Sequence, residues 1–156
     1  MLDESLQLFR VLLSLGYFQN TFFVLFLNKI DLFREKLRQY GDYHRLGRGC
    51  PSKTIASEAV RLEWAQQRVQ QMFIDVYTEF RTETATRQRL LGPERYRELS
   101  SQYNVEQPIF IHFTCATDTA AMPALFAATK YQLMSQFFSQ QFLSKRHSQW
   151  ELMKYS

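Results

Sequence analysis

A chain of 156 residues can bury one sizeable core, and an apolar content of 46% with 15% aromatics excludes a disordered polypeptide. The net charge of +4 is modest, so charge alone does not make the chain a nucleic-acid binder. Two cysteines, Cys50 and Cys115, stand too far apart for a metal pair, which argues against a disulfide framework and suits a reducing compartment. The most apolar stretch, Leu8 to Leu27, is interrupted by Arg10, Gly16, Gln19 and Asn20, so no membrane span is expected. Asp3 and Glu4 lie where a signal peptide needs basic residues.

In chain order, Leu2, Leu6, Phe9 and Leu13 recur at helical spacing, Glu4 suits the first turn, and Gly16 suits the stop. Phe22 to Leu27 then reads as a buried strand, short and rich in aromatic and branched residues. It runs directly into Asn28-Lys29-Ile30-Asp31. In open α/β sheets, ligands bind past the carboxyl ends of parallel strands. A carboxylate there can accept the N1–H and 2-amino donors of guanine in one fork, and adenine lacks that pair. The competing reading makes Asp31 an ordinary turn residue accepting local N–H bonds.

After Asp31 the chain reads as polar and irregular. Gly41, Gly47, Gly49 and Pro51 mark a loop from about Tyr40 to Lys53. Ser57 and Glu58 open a long helix, in which Val69, Met72, Phe73, Val76, Tyr77 and Phe80 form one apolar stripe for core packing. Arg81, Arg87, Arg89, Arg95 and Arg97 follow, offset by Glu79, Glu83, Glu94 and Glu98. This reads as a solvated helical insertion, broken at Gly92-Pro93, with a shorter helix from about Pro93 to Gln102.

A second strand, Ile109 to Phe113, ends in Thr114-Cys115-Ala116-Thr117-Asp118-Thr119. The small Ala116 lets the backbone approach a planar base, so that its N–H can donate to guanine O6. A final helix follows, with Pro123 suiting its first position. Leu125, Phe126, Thr129, Leu133, Phe137 and Phe138 give that helix one apolar side. His112 lies inside the strand and reads as a core histidine, and no nucleophile–base constellation can be assembled from spacing.

These residues together resemble the α subunit of heterotrimeric G proteins. The resemblance rests on Asn28-Lys29-x-Asp31, on Thr114 to Thr119, on Glu4-Ser5-Leu6-x-Leu8-Phe9 and on Leu25 to Phe33. It covers Met1 to about Lys36, more loosely Ala65 to Phe80, and Ile111 to about Phe126. It implies an α/β fold: a partial P-loop NTPase (Ras-like) domain of parallel strands flanked by helices, lacking the amino-terminal half. Residues 1–156 would form the carboxyl-terminal part of the GTPase domain, with an insertion at about 81–107.

The resemblance also implies a guanine site. Asn28 would brace the two base loops, the Lys29 stem would cover one face of the base, and Asp31 would bind N1 and the 2-amino group. Ala116 would donate to O6, with Cys115 and Thr117 shaping its loop. GTP and GDP are the implied cofactors, with Mg2+ in the complete domain. The implied partners are the β/γ dimer and a G protein-coupled receptor at the cytoplasmic face of the plasma membrane, and no nucleic acid.

The sequence departs from the family in places. Gly47 to Thr54 is a near miss to a phosphate loop, with Ser52 in place of the second glycine, and it follows the Asn-Lys-x-Asp motif where the family's loop precedes it. The Asp-x-x-Gly-Gln segment, the cis arginine and the magnesium-binding threonine are absent, so the chain is not expected to hydrolyse GTP alone. Ala120, Ala121, Ala124 and the ending Trp150 to Ser156 depart from the family's receptor helix and tail. Two apolar strands without further neighbours make a weak sheet with an open edge. The expectation is a fragment of a longer α subunit. The alternative is a degenerate, non-catalytic relative that serves as a protein-interaction module.

Overall fold

The computed structural model describes residues 2–15, 22–90, 92, 108–115 and 120–153. They fall in two compact units, Met1–Phe113 and Thr114–Ser156. The first unit runs α1 (Leu2–Ser14), β1 (Phe23–Leu27), α2 (Ile30–Tyr40), a 3₁₀ turn (Tyr43–Leu46), α3 (Glu58–Leu90) and β2 (Ile109–Phe113). The second contains α4 (Ala121–Met153).

β1 and β2 pair in parallel, with Phe23 opposite Ile109 and Leu27 opposite Phe113. The side chains alternate as the pleat requires. Phe23, Leu25, Leu27, Ile109 and Ile111 pack against the core, while Phe26 stacks on its register partner His112 at 5.8 Å on the other face. The strand expected at Phe22 to Leu27 thus begins one residue later, and His112, expected in the core, is half-buried on the opposite face of the sheet against Phe26.

The core of the first unit is built by α1 and α3 over that sheet face. Leu6, Phe9 and Leu13 of α1 are buried with Val69, Phe73, Val76 and Tyr77 of α3. An aromatic cluster joins the three elements. Phe9 lies 5.7 Å from Phe73 and 6.0 Å from Phe23, and Phe23 lies 5.7 Å from Tyr77, in edge-on or tilted geometries that aromatic quadrupoles favour. The expected apolar stripe of α3 is therefore its core face. Burial pushes the Tyr77 hydroxyl above its ordinary pKa, because an ionised phenolate would be desolvated there.

α3 starts where expected. The Ser57 hydroxyl accepts the Val60 N–H at 3.4 Å, which satisfies one of the free donors of the first turn. The helix continues through Leu90, so the first ten residues of the expected insertion extend α3. There the hydroxyls of Thr82, Thr84 and Thr86 each donate to the carbonyl four residues earlier. The expected helix at Pro93 to Gln102 lies outside the described residues.

One sequence reading is corrected. Residues 32–40 are helical, not irregular. Ile30, Phe33 and Leu37 supply the inward spacing, and Leu37 is buried. Gly41 ends α2 at φ 66°, where its N–H donates to the Leu37 carbonyl at 3.0 Å. That left-handed stop needs glycine. Side chains tie α2 to α3 as well: Arg34 donates to Gln66 at 3.1 Å, and Arg38 pairs with Glu58.

In the second unit, α4 begins at Ala121, two residues before the expected start at Pro123. Proline is tolerated there because N–H groups of the first turn have no intrahelical acceptor. Along the expected apolar side Thr129 is buried and donates to the Leu125 carbonyl at 2.8 Å, whereas Phe126, Phe137 and Phe138 are exposed.

Candidate functional site

β1 delivers its last residue, Leu27, to the carboxyl edge of the sheet, and the chain turns there within two residues. Lys29 makes the turn. It adopts φ 65° and ψ 40°, a left-handed conformation found at no other non-glycine residue among those described. For a side-chain-bearing residue this conformation costs about 1–2 kcal/mol. Two hydrogen bonds hold it. The Asn28 carboxamide oxygen accepts the Lys29 N–H at 2.8 Å, and the Lys29 carbonyl accepts the Phe33 N–H at 3.0 Å as the first bond of α2. Asn28 is thus the brace of its own turn.

Asp31 falls in the first turn of α2, exposed to solvent. The helix dipole favours a negative charge there by about 0.3–1 kcal/mol. Its carboxylate accepts no hydrogen bond among the described residues, so it is not the locally bonded turn residue that the competing reading required. Both acceptor oxygens are available to an outside donor pair. The Lys29 side chain is likewise exposed and caps nothing.

Directly after β2 in the chain, Thr114 is buried and Cys115 is half-buried and not in a disulfide. Ala116 and Thr117 lie outside the described residues. Asn28, Lys29 and Asp31 are thus held in one turn.

An apolar cavity of about 420 Å³ adjoins the turn. It is lined by Leu8, Phe9, Leu12, Leu25, Phe73 and Phe113, among others, and ends at Asn28 and Ile30. Neither Lys29 nor Asp31 lines it. A second stripe on α1 is solvent-facing: Leu8, Val11 and Leu12 repeat at i, i+3 and i+4, with Leu8 60% exposed, and Leu15 just past the helix end is exposed too.

The Gly47 to Thr54 segment follows a 3₁₀ turn and precedes α3, so the strand–loop–helix cradle of a phosphate loop is not formed there. It does build a polar cluster that motif reading passed over. Tyr43 is buried beneath the loop, and the Arg61 guanidinium sits 4.1 Å above its ring centroid. Burial raises the Tyr43 pKa, and Arg61 partly offsets that rise. The available signal was the basic set Arg48, Lys53 and Arg61 around a loop with two glycines. Among the described residues, no group of three His, Cys, Asp or Glu side chains could hold a metal ion. No described helix is long and apolar enough to cross a membrane.

Comparison with known proteins bears on the family of the chain. A family model described as G-protein alpha subunit matches residues 1–133. The chain is 30% identical over 141 residues to the guanine nucleotide-binding protein alpha-4 subunit of Dictyostelium discoideum, covering 85% of this chain and 29% of that protein. It is 33% identical over 118 residues to the alpha-1 subunit of Caenorhabditis briggsae, covering 76% of this chain and 25% of the relative. The human guanine nucleotide-binding protein subunit alpha-15 is 25% identical over 142 residues, or 89% of this chain and 32% of that protein. The chain thus spans about a third or less of the length of these relatives. A parallel α/β sheet with Asn-Lys-x-Asp at a strand's carboxyl end and a family match over most of its length make this chain a member of the G-protein α subunit family, with a partial α-subunit fold.

Proposed function

We propose that this chain supplies the base-reading part of a guanine nucleotide-binding signal transducer. The observation that carries the reading is the Asp31 carboxylate, exposed and without a donor among the described residues, in the first turn of α2 just past the end of β1. Asp31 takes the N1–H and 2-amino donors, Lys29 covers a face of the base with its stem, and Asn28 holds the turn. Cys115, Ala116 and Thr117 form the second base loop by family resemblance. GTP and GDP are the nucleotides, and a receptor and a β/γ dimer at the inner face of the plasma membrane are the partners that membership suggests.

The residues fit the base better than the rest of the nucleotide. The phosphate cradle is not formed at Gly47 to Thr54, and the described residues offer no acidic cluster for Mg2+. The chemistry assigned to this chain is therefore recognition, and hydrolysis is not assigned to it. Saturation-transfer NMR on the full chain tests the reading with nucleosides, which need no phosphate cradle. Guanosine gives transfer and adenosine gives markedly less. Equal transfer to both would refute base recognition.

A second reading draws on the exposed stripe of α1. Leu8, Val11 and Leu12 form an apolar face of the kind found at interaction surfaces. A degenerate, non-catalytic relative acting as an interaction module would keep this face and show no preference among the purines.

A further inference from the structure

A cavity of about 580 Å³ opens beside the loop between the 3₁₀ turn and α3. It lies away from the Asn28–Asp31 turn and shares no lining residue with the apolar cavity there. Its ionisable side chains are His44, Arg48, Arg61, Tyr43 and Cys50, with no carboxylate among them. The adjoining cavity of about 300 Å³ adds Arg38, Lys53 and Glu58, and Glu58 is already paired with Arg38. The field inside the larger cavity is therefore positive.

Arg61 is the built part of this site. Its Nε–H donates to the Pro51 carbonyl at 3.2 Å, and its guanidinium rests on the Tyr43 ring. Those two contacts fix the plane of the group. Its two terminal amino groups have no acceptor among the described residues, so four of its five N–H donors are unspent. A guanidinium held in place with its fork open is arranged for bidentate capture of an oxyanion. Arg48 carries a second unpaired charge into the same cavity from the loop. Gly47 and Gly49 shape that loop with φ of 111° and 100°, conformations that side chains rarely adopt. Gly47 also sits against Arg68, whose Nε–H donates to the Leu46 carbonyl at 3.0 Å and ties the loop to α3.

We propose that Arg61, with Arg48, forms a binding site for a phosphoryl group. Two uncompensated cations facing no carboxylate suit a dianion better than a single carboxylate, and the cavity leaves room for the molecule that bears it. The phosphoryl group is that of a soluble phosphate monoester or of a phosphorylated lipid headgroup. The chemistry of capture is the same for both.

The loop itself provides a reporter. A Cβ on Gly49 would lie 4.0 Å from the Trp64 indole nitrogen, so Trp64 borders the site. The test uses the full chain carrying Trp150→Phe, so that fluorescence reports Trp64 alone. Inorganic phosphate is titrated first, with chloride at matched ionic strength as the control. Phosphatidylcholine vesicles with and without phosphatidylinositol phosphate form the second arm.

A saturable Trp64 response to phosphate, or to the phosphoinositide vesicles over plain ones, is the expected result. A response to phosphate alone identifies a soluble ligand, and a response only to the phosphorylated vesicles identifies the headgroup. Arg61→Gln weakens the response by about tenfold or more, as loss of a charge-assisted bond predicts. Arg61→Lys, which keeps the charge and loses the fork, recovers only part of it. Arg48→Gln, an exposed change that leaves the Tyr43 contact intact, weakens it with an unchanged thermal unfolding midpoint. No saturable response in either arm, or full retention in both Arg61→Gln and Arg48→Gln, overturns the proposal.

Discussion

Lys29 is the residue at which local preference and observed geometry disagree most. A left-handed lysine at the start of a helix is a strained choice where glycine, or a capping Ser or Asp, would be ordinary. Strain of this kind persists where the surroundings over-determine it, and here it sits within the turn proposed to read the base, between Asn28 and Asp31. Lys29→Gly should raise stability by about 1 kcal/mol, read as a higher urea midpoint, because the left-handed penalty disappears. The same variant should weaken guanosine binding through loss of the covering stem. A destabilised Lys29→Gly chain would show that the turn is not strained in the way described. Asn28 and Asp31 were readable from the sequence because their chemistry is carried by a motif. The left-handed turn was not, since nothing in the residue type of lysine announces it.

Among the elements, α1, β1, α3 and β2 follow from periodicity. Leu2, Leu6, Phe9 and Leu13 keep one helical face, and Ile109 to Phe113 is an apolar run broken by His112. α2 was hidden by its charge. Asp31, Arg34, Glu35, Lys36 and Arg38 dilute an apolar spacing of Ile30, Phe33 and Leu37, and its amino end lacks a capping side chain. The signal that could have found it is Gly41, a helix stop four residues after Leu37. The extension of α3 through the arginine-rich stretch was half-read, because charge there suggested a solvated helix without its continuity with the core helix.

The buried tyrosines give these elements an alkaline limit. Tyr43 beneath the loop and Tyr77 on α3 both have pKa values raised above 10.0 by desolvation. Below that pH both the folded and the unfolded chain keep the phenolic proton, and the stability is fully present. As pH rises past it the unfolded chain releases the proton first, so the unfolded state binds fewer protons and stability falls with pH. It is lost progressively until the folded groups ionise. Denaturant midpoints measured from pH 8 upward should decline on the alkaline side, and the double variant Tyr43→Phe with Tyr77→Phe should flatten that decline. An unchanged alkaline slope in the double variant would refute it.

At the scale of the whole molecule, the first unit is organised around one hydrophobic core. One face of a two-stranded sheet rests on α1 and α3, and Phe9, Phe23, Phe73 and Tyr77 join them. Phe73 is buried against Phe9. Phe73→Ala should cost about 3–5 kcal/mol, enough to remove the cooperative thermal transition from a domain of ordinary stability. Retention of that transition with a near-native midpoint would contradict this account of the core. Family membership was recoverable from two short motifs because strand ends, not whole strands, carry the chemistry.

The central claim is that the Asp31 carboxylate reads a purine by its two adjacent donors, and exchange of that carboxylate for an amide tests it most directly. In the full chain, Asp31→Asn should lose guanosine binding by about 1.5–3 kcal/mol per charged hydrogen bond removed and gain xanthosine, whose 2-oxo group accepts from the new amide. Nucleoside titrations followed by saturation-transfer NMR would show the preference reverse. A guanosine preference that survives the exchange would contradict the account.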